Sequence, residues 1–208
     1  MTENEKLRTK LIETAHQLYM RVGIKSVSMD DIARKMGVSK KTVYQVVSTK
    51  EDLIRLVMEA DTCRDLEMIV HNREESHDAI DEFLRNSRYH IREMRQISPT
   101  TMYDLQKYYP SIWHEQMKAH QEEFESSILR NVERGMEEGL YRSDLVPDIV
   151  ATLYVATVLM VVDTSVFPAH ERTISDIIFH HSQYHLNGIV NQFGRQRMEE
   201  YLQQEALG

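Results

Sequence analysis

The 208-residue chain contains one cysteine, Cys63. No disulfide can therefore close within it, which suits a reducing compartment and places the protein in the cytoplasm. The start, M-T-E-N-E-K, lacks the apolar region of a secretory signal. The longest apolar run, 149–162, is too short and interrupted to span a bilayer, and Asp163 ends it. From residue 78 onward there is neither strand-type alternation nor an internal repeat. A Walker loop, a G-x-S-x-G elbow and a paired-cysteine motif are all missing, so nothing points to an enzyme and no cofactor is implied.

Hydrophobic residues make up 41% and charged residues 28% of the sequence, a balance that folds and buries a core. The net charge of −8 argues at first against a nucleic-acid partner, but its distribution reverses that inference. Residues 1–50 hold ten Lys/Arg against five Asp/Glu, and the remainder holds fifteen against twenty-eight. A basic head that meets phosphates is joined to an acidic body that is repelled by them.

The basic head has its own punctuation. Leu7, Leu11, Ala15, Leu18, Tyr19 and Val22 follow helical spacing over 3–22, and Lys6, Arg8 and Lys10 lie near the start of that helix. Gly23 stops it. Ser28, with Asp31 three residues on, caps a second helix whose apolar face is Ile32, Ala33 and Met36. Gly37 supplies a positive φ for a sharp turn, Val38 plugs it, and Ser39 caps a third helix running from Lys40 to about Val47. Ser48 with Glu51 reads as a capping box for a fourth, 49–72, which no Pro or Gly interrupts. Two short helices joined by a tight glycine turn form a helix-turn-helix. The second of them carries Lys40, Lys41, Thr42, Tyr44 and Gln45, side chains of the kind that reach phosphates and base edges in a major groove.

The ordered set Ala15, Gly23, Ser28, Ile32, Ala33, Gly37, Val38, Ser39, Thr42, Tyr44 and Lys50-Glu51-Asp52-Leu53 resembles the tetracycline-repressor (TetR) family of bacterial regulators. One departure is Val46-Val47, where the family usually has an aromatic pair. The resemblance implies an all-α fold: a three-helix helix-turn-helix DNA-binding domain at 1–48 and a helical effector-binding and dimerisation domain at 49–208. It makes Tyr44 and Lys50 phosphate contacts. Thr42 and Gln45 are expected at base edges, and Lys40 and Lys41 at either.

The rest of the chain reads as helices at 78–97, 101–108, 110–138, 148–166, 173–190 and about 196–203. The helix at 148–166 is apolar nearly all round, so it needs cover on both sides. With 173–190 it provides what the family's homodimer bundle requires. The family body implies a pocket for a small-molecule effector. Ser87 and His90 interrupt the stripe that runs through Phe83 and Met94, and Tyr103, Trp113, Met117 and Tyr154 are the other candidate lining residues. A packed core with satisfied polar tips is the plainer alternative for each. His181 and His185 are one turn apart, but no third ligand accompanies them on that face, so they read as a packing pair that could lend the dimer a weak pH response, and no metal site is assigned. The functional expectation is a ligand-responsive, operator-binding repressor; the alternative is a helical small-molecule-binding protein without specific DNA readout.

Overall fold

The computed structural model describes residues 2–161, 166–167 and 172–206. These residues form helices α1 (Glu3–Val22), α2 (Met29–Met36), α3 (Lys40–Val43), α4 (Lys50–Glu75), α5 (Ala79–Gln96), α6 (Pro99–Tyr108), α7 (Pro110–Glu137), α8 (Pro147–Val161), α9 (Ile174–Ile189) and α10 (Gln192–Ala206). Among the described residues there is no strand, only an isolated bridge between Tyr141 and Val190. No helix among them is long and apolar enough to cross a membrane. The end of the helix expected at 148–166, residues 162–165, and Pro168 lie outside the described residues.

The chain divides into two compact units, 1–65 with 96–119 and 66–95 with 120–208. This differs from the expected boundary after residue 48. In the first unit, Leu11, Ala15, Tyr19, Ile32, Val43, Leu53 and Val57 share one core with Leu105 of α6 and Ile112 of α7. The polar reason is just as specific. A helix ends with carbonyls that have no partner in the helix, and the α5–α6 corner adds donors for α1: the Ser98 N–H donates to Met20 O at 2.8 Å, and the Thr101 hydroxyl donates at 2.7 Å to Tyr19 O, which also accepts the Gly23 N–H. Gly23, at φ 87°, makes the approach possible, because a Cβ there would lie 2.7 Å from Thr100 Cγ2.

Several local expectations shift by a residue or a turn. Ser98-Pro99 does end α5, but Pro99 is also the first residue of α6, with Ser98 as its cap. The fourth helix is capped by Thr49 and Asp52 rather than by Ser48 and Glu51: Thr49 N–H donates to Asp52 Oδ2 at 2.9 Å, and Asp52 N–H to Thr49 Oγ1 at 3.0 Å. It also runs three residues past the expected end at 72. The tail helix begins at Gln192, not near 196. Val22, placed on the buried stripe of α1, is 40% exposed, and Met20 is buried instead.

The second unit is centred on Phe83, Leu84, Val132, Tyr154, Val155, Leu186 and Ile189. Its polar keystone is Asp78. One carboxylate oxygen accepts the N–H groups of Ile80 and Asp81, capping α5; the other accepts Arg197 Nε at 2.9 Å and the Tyr201 hydroxyl at 2.7 Å, both from α10. Nearby, Asn131 Nδ2 donates to Ala79 O, and the buried Tyr141 hydroxyl donates to Asn131 Oδ1. Arg134 bridges Glu82, Glu138 and Ser76.

Candidate nucleic-acid interface and body cavity

The reader is built as its local sequence dictates. Ser28 and Asp31 form the expected capping box of α2, and Gly37 adopts the left-handed conformation at φ 72°. The Ser39 Oγ accepts the Thr42 N–H at 3.1 Å and lies 2.8 Å from Thr42 Oγ1. Lys10 Nζ donates to Met36 O at 3.1 Å, fastening α1 to the end of α2.

The recognition helix is a single turn, Lys40–Val43, and not the two turns expected to Val47. Beyond it the backbone tightens, with Gln45 N–H on Thr42 O and Val46 N–H on Val43 O, the i→i−3 pattern common at helix ends. The β-branched residues Val46 and Val47 disfavour further helix, and the buried Val47 turns inward to the core.

The six predicted contacts are in different situations. Lys41, Tyr44 and Gln45 project to solvent, Tyr44 at 43% exposure. Lys40 is exposed but pairs with Asp30 at 3.1 Å. Thr42 is partly buried and its hydroxyl lies against the Ser39 cap. Lys50 corrects the sequence reading most clearly. Its ammonium points into the protein and donates to Ile24 O at 2.7 Å and Val27 O at 2.5 Å, clamping the α1–α2 connection to the start of α4. Desolvation lowers its pKa, opposed by the charges of Glu51, Asp104 and Asp31.

The second unit contains a small cavity of about 20 Å³, bounded by the rings of Phe83, His90, Phe124 and Tyr154, by the polar Asn86, Ser87, Ser127 and Asn131, and by Ile69 and Ile128. That is room for about one water. Of the predicted effector residues, Ser87, His90 and Tyr154 meet there. Met94 instead packs on Val161, Ile177 and Ile178. Tyr103, Trp113 and Met117 belong to the other unit, where Tyr103 is 45% exposed and Trp113 packs on the core. Sequence reasoning missed Asn86, Ser127 and Asn131. Their signal was present as polar breaks at helical spacing within α5 and α7, the same signal that exposed Ser87 and His90.

The histidine pair also has a defined setting. His185 stacks on Phe83 with ring centroids 5.2 Å apart, and Tyr154 lies 4.4 Å from His185 and 4.7 Å from His181. Burial, then the neighbouring His181, holds the His185 pKa down to about 3; burial lowers that of His181. Among the described residues no cluster of three metal-ligating side chains exists.

Residues 11–57 match the family model described as bacterial regulatory proteins, tetR family. No curated protein matches the chain in sequence. Solved structures share its fold at low identity. A putative TetR-family transcriptional regulator from Mesorhizobium loti is 18% identical, with a TM-score of 0.67 over 92% of this chain and 100% of that one. The fatty acid degradation regulator FadR from Bacillus halodurans is 16% identical, with a TM-score of 0.67 over 90% and 97%. A putative transcriptional regulator from Saccharomonospora viridis, solved in complex with choline, is 18% identical, with a TM-score of 0.64 over 90% and 100%. Residues 11–57 thus carry the helix-turn-helix of the tetR family, and the chain as a whole shares the all-α fold of those solved regulators.

Proposed function

We propose that the protein is a cytoplasmic, homodimeric transcriptional repressor whose grip on a double-stranded operator is released by a small-molecule effector. The observation that carries this reading is the surface of the reader: behind a fully capped helix-turn-helix, Lys41, Tyr44 and Gln45 stand exposed together, a cation, a phenol and an amide suited to phosphates and base edges. The acidic second unit is the effector-binding part, supported by the likeness in fold to a regulator solved in complex with choline.

Dimerisation is assigned to α8 and α9. Ile149, Leu153 and Met160 on α8, and Phe179 and Tyr184 on α9, are exposed, Leu153 at 63% and Tyr184 at 82%. Exposed large apolar side chains gathered on two neighbouring helices mark an interaction surface. A two-fold dimer would present two readers to half-sites about one helical turn, roughly 34–36 Å, apart. The effector acts by preferring a spacing of the readers that does not fit DNA, a population shift and not a new contact with DNA.

One observation favours a second reading, a ligand-binding protein without specific readout: Lys50, Lys40 and the Thr42 hydroxyl are engaged within the protein. Fluorescence anisotropy on the upstream intergenic DNA and on a scrambled duplex, at one near-physiological salt concentration, separates the two. A preference of about a thousandfold or more is expected of a specific reader; equal weak binding to that DNA and to fragments selected genome-wide supports the second reading. Leu153→Asp, followed by sedimentation, tests the dimer face.

A further inference from the structure

The cavity in the second unit has a chemical bias beyond its existence. In a chain with 28% charged residues, none of its lining residues is Lys, Arg, Asp or Glu. The outward groove between α8 and α9, which shares Tyr154 with the cavity and adds His181 and His185, is also without them. Of the acids beside lining residues in sequence, Asp81 pairs with Arg85, Glu82 with Arg134, and Glu125 accepts the Thr152 hydroxyl. An ion entering this space would lose its hydration and find no countercharge among the lining residues.

The cavity still offers hydrogen bonds. Neither the Ser87 nor the Ser127 hydroxyl makes one within the described residues, while Asn86 Oδ1 already accepts from Asn72 Nδ2. Just beyond Tyr154, His181 Nδ1 and His185 Nε2 are buried without a partner, and burial keeps both rings in the neutral form. Phe83, Phe124 and Tyr154 also bound the cavity, and aromatic rings favour packing with another ring.

We propose that the second unit binds an uncharged, planar, hydrogen-bonding small molecule between Ser87, Ser127 and the rings of Phe83, Phe124 and Tyr154, and discriminates against carboxylates, phosphates and ammonium ions. This rests on reading that unit as the effector-binding part. At about 20 Å³ the space holds a water and not a ring, so binding requires the aromatic side chains to move apart, and affinity for a one-ring probe should be weak.

The test uses phenol, benzoate and benzylammonium on the full chain at neutral pH, by calorimetric melting and by titration calorimetry. Phenol should raise Tm at millimolar concentration, and the two ions should bind at least about tenfold more weakly. Ser87→Leu and, separately, Ser127→Leu fill the space and should remove the phenol response; Ile128→Ala widens it and keeps the rings, and should strengthen the response. Benzoate or benzylammonium matching phenol, no phenol response in either the native chain or Ile128→Ala, or a response unchanged by both filling substitutions would overturn the proposal. DNA binding is measured separately, so a protein that binds phenol but no operator defeats the regulator reading alone.

Discussion

The Thr101 hydroxyl, on α6, donates to the carbonyl oxygen of Tyr19, the fourth residue from the end of α1, across 2.7 Å in a fully buried setting. Tyr19 O also accepts the Gly23 N–H at 2.9 Å, so removing the hydroxyl costs one of its two hydrogen bonds, about 0.5–1.5 kcal/mol. Thr101→Val keeps the shape and deletes only the hydroxyl. It should destabilise the helix-turn-helix unit by about that amount, measured as a shift in the urea midpoint with an unchanged slope. A midpoint unaltered by the substitution would mean that α6 is held by its apolar contacts alone.

The two lysines that flank the reader should behave oppositely. Lys41 is exposed, and its loss should weaken binding to all duplexes alike and reduce the slope of log K against log salt by about 0.9, the release of one counterion. Lys50 is tied to Ile24 O and Val27 O. Lys50→Met should lower stability by about 1–3 kcal/mol and leave the salt slope nearly unchanged. Anisotropy titrations at three or more salt concentrations, beside urea melts, distinguish a phosphate contact from a structural clamp.

These lysines also show where sequence is legible. Ser28, Asp31, Gly37 and Ser39 were readable because capping and the αL turn are decided within four residues. The engagement of Lys50 was not, because its acceptors lie 26 and 23 residues away and are backbone oxygens with no sequence signature. Adjacent cap formers caused the Ser48-for-Thr49 shift, since either could accept from the first turn of α4. For the cavity, polar breaks in helical stripes pointed to Ser87 and His90, while the like breaks at Ser127 and Asn131 went unread. Periodicity gives a face but not the unit that face belongs to. Tyr103, Trp113 and Met117 therefore looked equivalent to Tyr154, although they lie in the other compact unit.

Asp78 should shape the acid limb of stability. Burial by itself would raise its pKa, but the backbone N–H of Asp81, the Tyr201 hydroxyl and the Arg197 guanidinium outweigh that and lower it. A carboxyl whose folded pKa lies below its unfolded value of about 4 contributes stability that is complete above that value and lost as pH falls toward the lowered one. Asp78→Asn should cost stability at pH 7 and flatten the decline on acidification, read from urea midpoints at a series of pH values. Parallel curves for the two proteins would remove Asp78 as the source.

His185 acts at higher pH and with the same sign of slope. Its folded pKa of about 3 lies well below the ordinary value of about 6.5, so between those limits the unfolded chain binds the extra proton. The fold then loses stability as pH drops through the window, at no more than about 1.4 kcal/mol per unit. Above pH 6.5 both states are neutral and the term vanishes. The ring packs against Phe83 and Tyr154, with His181 as its titratable histidine neighbour and the Tyr154 hydroxyl kept protonated by burial, which pushes its pKa up to about 12. His185→Phe preserves the ring stack and removes the proton site. The variant should equal or exceed the native chain in stability and lose less of it between pH 7 and 5. The check is a pair of melting curves at each pH, with the imidazole resonances followed by NMR to place the titration. A His185 resonance titrating near pH 6.5 in the folded protein would show that the ring is solvated and that its burial does not set the acid response.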